Sequence, residues 1–189
     1  MSLSDSPQVS ALVGLFINRV IVTELRLGSL MEQDFGAPVV TVEAGGSADE
    51  AADVTAQQGV LAFFTRESLW DAPVDVAVIR KSRRLELQPH SRIEYAGRAL
   101  HDRDITLRAD IDRFNFAQAG PDTVLGWLGE DGYQHLRIGG EPGHNDVAEF
   151  FEERDGGLYP RDAMQIFMAT TRPDIAASDC LFYFVMAEQ

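Results

Sequence analysis

The segment Pro38-Val39-Val40-Thr41-Val42-Glu43-Ala44-Gly45-Gly46 constrains this 189-residue chain more than any other stretch. A β-branched run bounded by Pro and Gly is the pattern of a short strand covered on both faces. Glu43 stands where the run stops and two glycines begin. In open α/β sheets, ligands bind at the carboxyl ends of strands, and a glutamate there is well placed to act as a general acid or base. Two plainer roles are open to it: capping the next helix, or ending the strand in solvent.

The flanking sequence predicts helices on either side. Val9, Leu12, Val13, Phe16, Ile17 and Val20 recur at helical spacing. Ile21, Val22 and Leu25 either extend that helix or start a strand. The small polar start, Met1 to Gln8, reads as a frayed end and is left out of the fold. Ser47-Ala48-Asp49-Glu50 is a capping box, and Ala52, Ala56, Val60 and Phe63 continue a helix to about Arg66. One strand cannot make a sheet, so residues 1–70 read as part of an α/β domain rather than a whole one, and the resemblance described below implies its C-terminal part. Its open ladder edges predict self-association or pairing with a missing N-terminal half.

Leu69-Trp70-Asp71-Ala72-Pro73 reads as a boundary, because the periodicity then changes. Val74, Val76 and Val78 alternate with their neighbours, as do Leu85 and Leu87. Ile105, Leu107, Ala109 and Ile111 alternate with Thr106, Arg108 and Asp110, the pattern of a half-buried strand. Val124–Leu128, Gln134–Ile138 and Leu181–Met186 are further strand candidates, and Arg161 to Ala169 has room for one short helix. Residues 71–189 are therefore expected to form a β-rich, mainly antiparallel domain.

Composition narrows the partners. A net charge of -14 argues against nucleic acid, which needs clustered Lys and Arg, and against anionic membrane surfaces. No apolar run reaches the length of a membrane span and no signal peptide is evident, so a cytoplasmic protein is expected. The single cysteine, Cys180, lies in an apolar run and reads as a buried small hydrophobe. His90, His101, His135 and His144 show no His-x-x-Glu or His-Glu-x-x-His spacing. Asp110-Ile111-Asp112-Arg113-Phe114-Asn115-Phe116 reads as a strand end and turn held by side-chain hydrogen bonds.

The Pro38–Gly46 segment, followed by Asp49, Ala52, Asp53, Ala56 and Gly59, resembles the latter part of the catalytic domain in the succinylglutamate desuccinylase/aspartoacylase family. Leu27-Gly28-Ser29-Leu30-Met31-Glu32 fits the same alignment. Asp110–Phe116, Met168-Ala169-Thr170-Thr171 and Ser178–Tyr183 resemble that family's C-terminal region. The resemblance implies an α/β remainder of a zinc carboxypeptidase-like domain followed by a β-rich C-terminal domain. It implies a zinc-dependent amidohydrolase that deacylates N-acyl amino acids. Glu43 matches the glutamate that activates the zinc-bound water and later protonates the leaving amine. Arg26 lines up with a substrate-carboxylate arginine, with a different intervening length. Tyr159, in Gly157-Leu158-Tyr159-Pro160, lines up with a tyrosine lent to the substrate pocket, or is an ordinary loop tyrosine.

The departure from the family is as informative. Its zinc ligands, a His-x-x-Glu pair and a later His, precede the glutamate motif, and no histidine precedes Glu43 here. A catalytic zinc takes about three protein ligands. Zinc is therefore expected in the complete enzyme, with a small acyl amino acid as substrate, and no metal is expected in this chain alone. Three readings follow: part of a zinc-dependent acylase, a stand-alone binding module, or one half of a split enzyme.

Overall fold

A computed structural model of the chain describes residues 1–23, 28–46, 49–70, 75–139 and 146–187. It is a mixed α/β fold with several sheets, and it divides into two compact units, Met1–Lys81 and Ser82–Gln189.

The first unit opens with α1, Pro7–Val13. Pro7 sits at the helix start, where its fixed φ suits the first turn and its missing N–H is not needed. The Ser6 hydroxyl accepts from the Val9 amide at 3.3 Å and caps the helix. Residues 1–8, expected to fray, are thus built in. The Ser2 amide donates to the Ile21 carbonyl at 3.0 Å, and the Ser2 carbonyl accepts from the Thr23 amide at 3.0 Å. The helix expected to reach Val20 stops at Val13. Arg19–Ile21 is instead a strand, β1, paired in parallel with β2, Ala77–Ile79. Val9, Val13 and Val20 are buried together, with Ile17, Val22, Val40, Val76 and Val78 packed against them. Because β2 pairs with β1, the alternating stretch after Val74 opens inside the first unit, and the chain divides at Lys81–Ser82 rather than near residue 70.

The second helix, α2, runs Glu50–Thr65, close to its expected course. Asp49 is its cap, accepting from the Ala51 amide at 2.9 Å. The expected capping residue, Ser47, lies outside the described residues. The buried face differs from the one expected. Ala52 and Gly59 are the buried positions, whereas Val60 and Phe63 are 48% and 41% exposed. The reason is Gly59. A Cβ there would sit 2.1 Å from the Phe16 ring, so the ring packs directly on the helix backbone and sets which face turns inward.

The second unit contains, in chain order, β3 (Arg83–Leu87), β4 (Ile93–Ala96), β5 (Ile105–Arg108), β6 (Gln118–Ala119), β7 (Gly126–Leu128) and β8 (Leu136–Gly139). A one-turn helix α3 (Val147–Phe150), β9 (Phe151–Arg154), β10 (Gly157–Pro160), β11 (Met164–Phe167), α4 (Pro173–Ser178) and β12 (Phe182–Met186) complete it. Two five-stranded sheets result, ordered β4-β5-β7-β10-β9 and β6-β11-β12-β3-β8. Every pairing is antiparallel except β4 with β5. Alternation along each strand sends one set of side chains between the sheets. Phe151 of β9 meets Phe182 and Phe184 of β12 edge-on, with ring centroids 6.2 and 5.3 Å apart. Leu85, Ile105, Leu107, Leu158, Ile166 and both β12 phenylalanines are fully buried in this shared core.

The helix expected within Arg161–Ala169 is β11. Its Met164 and Ile166 face the core at period two, and it is held on both sides by β6 and β12. Cys180 is buried, as expected, and burial pushes its thiol up to about 12. Among the described residues, no helix is long and apolar enough to cross a membrane.

Candidate functional site

The Pro38–Glu43 segment departs from its expected form. It is irregular chain rather than a strand within a parallel sheet, and Val39, Val40 and Val42 are only partly buried. Its backbone is held from one side. The Thr41 amide donates to the Met1 carbonyl at 2.9 Å, and the Met1 ammonium donates to the Thr41 carbonyl at 2.5 Å. The Ser2 hydroxyl donates to the Val39 carbonyl at 3.4 Å. These bonds satisfy single residues without building a ladder, and Val40 joins the small valine cluster of the first unit.

Glu43 follows, exposed. Burial lowers the pKa of the Met1 ammonium, and the nearby Glu43 carboxylate partly offsets this by raising it. The glutamate therefore stands within electrostatic reach of a cation while its carboxylate stays open to solvent. Beyond it, Gly45 has a φ of 146°, a conformation that side chains avoid. A Cβ at that position would lie 2.8 Å from the Ala52 Cβ and 3.2 Å from Asp49 Oδ2. The chain after Glu43 is thus pressed onto the first turn of α2, which fixes where the carboxylate emerges.

Arg26 lies outside the described residues. Tyr159 lies on β10, half-buried, opposite Glu152 on β9. The Arg154 guanidinium covers its ring at 4.0 Å from the centroid, an arrangement in which the ring quadrupole attracts the cation. Arg154 also donates to the Pro121 carbonyl and pairs with Glu152 at 3.6 Å and Asp122 at 3.8 Å. Glu43 and Tyr159 thus belong to different units, each held by its own neighbours.

Two segments singled out in the sequence do come together. The Asn115 side chain donates to the Ala169 carbonyl at 3.1 Å and accepts from the Ala169 amide at 2.7 Å. The Phe116 ring stacks on Phe167, 5.9 Å between centroids. Asp110 is held by Arg108 through bonds of 2.8 and 2.9 Å, which lower its pKa. The Asp110–Phe116 run is therefore the hydrogen-bonded turn expected, and its partner is the Met168–Thr171 region.

A buried charged cluster had no motif to reveal it. Arg84, on the face of β3 turned away from the core, is 5% exposed. Its Nε lies 3.0 Å from Glu86, and its other nitrogen pairs with Asp179. Arg137 of β8 meets Glu86 at 2.7 Å, and the Arg84 guanidinium lies over the Tyr183 ring at 5.4 Å. Burial pushes the Tyr183 hydroxyl up to about 12. The available signal was the Arg84/Glu86 alternation with Leu85 and Leu87, which places both charges on one face of a strand.

His144 lies outside the described residues. Among the described residues no group of three or more His, Cys, Asp or Glu side chains is placed to hold a metal ion. His90 and His101 are exposed in separate turns, and His135 engages Ser91 at 3.0 Å and Asp131 at 3.6 Å. Compared with protein-family models, curated proteins and solved structures, the chain matches none.

Proposed function

We propose that this chain is part of an amidohydrolase that deacylates N-acyl amino acids, related to the succinylglutamate desuccinylase/aspartoacylase family, with the zinc ligands supplied from outside the residues described here. The observation that carries the reading is the presentation of Glu43. An open carboxylate at the end of a valine-rich segment is followed by a glycine that only fits because it lies against the next helix. That is the placement a general acid–base needs: a fixed backbone and a side chain free to reach a reacting atom. In this reading Glu43 takes a proton from the attacking water and returns it to the leaving amine. The reading takes residues 1–70 as the remainder of a zinc carboxypeptidase-like domain and draws only on the coarse order of a small parallel pair with helices followed by a β-rich body. Arg26 and Tyr159 are the proposed substrate contacts.

The test is to supply the metal-bearing segment, with its His-x-x-Glu and later His, fused ahead of this chain or as a separate polypeptide, and to measure release of free amino acid. Hydrolysis should appear and should depend on Glu43. Glu43→Gln keeps the shape and removes the base, so turnover should fall by about 100- to 10,000-fold with folding unchanged. A Glu43→Gln protein with parental turnover would leave Glu43 as a solvated residue before a helix. The competing reading is a stand-alone binding module or one half of a split enzyme. It draws on the second unit, which closes a core of its own.

A further inference from the structure

The turn that leaves β3 carries a second arrangement of reactive side chains. The Ser91 hydroxyl lies 3.0 Å from His135 Nδ1, and His135 Nε2 lies 3.6 Å from Asp131 Oδ2. A hydroxyl, an imidazole and a carboxylate in that order form the constellation of nucleophilic acyl transfer, which is recognised by geometry rather than by sequence position. Its parts are held at ladder ends. The Gln88 amide donates to the His135 carbonyl at 2.9 Å, extending the β3–β8 ladder by one pair, and the Ser91 amide donates to the Gln88 carbonyl at 3.2 Å. The next residue, Arg92, is clamped. Its amide donates to the Asp104 carboxylate at 2.7 Å, and its carbonyl accepts from the Asp104 and Ile105 amides at 3.0 and 3.2 Å. On the other side of Ser91, His90 has a φ of 70°, a conformation that a non-glycine residue keeps where its surroundings enforce it.

We propose that Ser91, His135 and Asp131 form an acyl-transfer site that cleaves activated esters, those whose alcohol is a phenol. The site belongs wholly to the second unit and is independent of the Glu43 reading. Asp131 stands beside Nε2 and favours the tautomer protonated there, which leaves the Nδ1 lone pair to accept from the Ser91 hydroxyl. As Ser91 Oγ bonds to the acyl carbon, its proton passes to Nδ1. Asp131 stabilises the imidazolium that forms, and Asp104 stands within electrostatic reach of the same ring. The bond to the phenol oxygen then breaks, the phenolate takes the proton from Nδ1, and the acyl group stays on Ser91. Water attacks this ester with His135 again as base, which releases a carboxylic acid and restores the hydroxyl. The substrate class follows from the backbone. The Ser91 and Arg92 amides are engaged by Gln88 and Asp104, so they offer little to a developing oxyanion and a good leaving group is needed. The His135 side chain is 23% exposed and Ser91 is partly exposed, so a small ester can reach both.

The full chain is tested with para-nitrophenyl acetate. Release of the nitrophenolate above the buffer rate is expected, with an acetyl group on Ser91 in acid-quenched samples read by peptide mass spectrometry. Ser91→Ala should lose both. His135→Gln should slow acylation of Ser91 by about 100-fold or more, the scale of general-base assistance. Asp131→Asn, a change at the positioning carboxylate, should lower kcat and leave KM as it is. Ser91 and His135 are partly exposed and Asp131 is exposed, so all three variants should keep the parental circular dichroism. No release above buffer, an acetyl group on His135 or Lys81 in place of Ser91, release that survives Ser91→Ala or His135→Gln, or parental kcat in Asp131→Asn would each overturn the proposal.

Discussion

Two ways of finishing a fold stand next to each other in this chain. The second unit stacks two five-stranded sheets, and leucines, isoleucines and phenylalanines from both fill the space between them. The first unit has a two-stranded parallel sheet of three residues per strand and a small valine cluster. Parallel sheets are ordinarily covered on both faces, and pairs of strands are marginal by themselves. The apolar residues that remain exposed follow the same division. Leu30, Phe35, Leu61, Phe64 and Trp70 belong to the first unit, and among the described residues of the second the exposed large apolar side chains are the less exposed Phe116 and Ile175. The difference teaches that hydrophobic content does not by itself guarantee burial. What decides is whether enough strands are present for alternation to aim side chains at one another.

The largest expected effect tests that contrast with one residue type. Phe184 is fully buried between the sheets and Phe64 is 77% exposed on α2. Phe184→Ala should cost about 3–5 kcal/mol of stability, the usual range for a buried aromatic. Phe64→Ala should stay within about 0.5 kcal/mol in the monomer. Denaturant midpoints at low protein concentration measure both, and similar losses would break the comparison.

A smaller effect is expected from the buried charges of the second unit. Arg84→Ala removes the cation between Glu86 and Asp179 and uncovers the Tyr183 ring. Because Arg137 still neutralises Glu86 at 2.7 Å, the loss should be about 2–3 kcal/mol rather than that of a fully stranded buried charge. A neutral result in chemical denaturation would mean that this network orders the sheet without stabilising it.

The contrast was partly legible in the sequence. The Ile105–Arg108 alternation, the β12 run and the buried Cys180 could be read locally because period two and composition carry them. Helix α2 was legible from its acidic start, yet its inward face was not, since Gly59 offers no side chain and its value comes from Phe16, more than forty residues earlier. The β11 strand was read as a possible helix because four residues hold too little periodicity. What fixes it is the pair of neighbours β6 and β12, one of them contributed from the end of the chain. The Pro38–Glu43 segment carries a strand-like composition, but among the described residues its backbone bonds go to Met1 and Ser2 and no ladder forms. Within the candidate site, Glu43 is exposed beyond an irregular segment rather than at the end of a strand. The meeting of Asn115 with Ala169 depends on two turns far apart in sequence and had no local signature.

The smallest effect should be seen in acid. Asp104 accepts from the Arg92 side chain at 3.0 and 3.3 Å and from its amide at 2.7 Å, and these bonds hold its pKa down to about 2. A carboxylate depressed by folding stabilises the protein fully above its ordinary pKa of 3.8, and that contribution fades as pH falls through the interval down to about 2. The Arg92 side chain is exposed, so solvent screens the pair and the gain is modest. Asp104→Asn should therefore melt slightly below the parent at pH 6, and the gap should close as pH approaches 2. A gap that widens in acid would have the wrong sign.

The unequal completion of the two units is tested most directly by native-state hydrogen exchange resolved along the chain. Amides of β3, β5, β10, β11 and β12 should exchange only through the global opening of the second unit, and therefore slowest. Those of β1, β2 and α2 should exchange through cheaper openings, with protection lower by about 100-fold or more, the spread expected between sub-global and global unfolding. Equal protection across Lys81–Ser82, or slower exchange in β1 and β2 than in β12, would contradict the account.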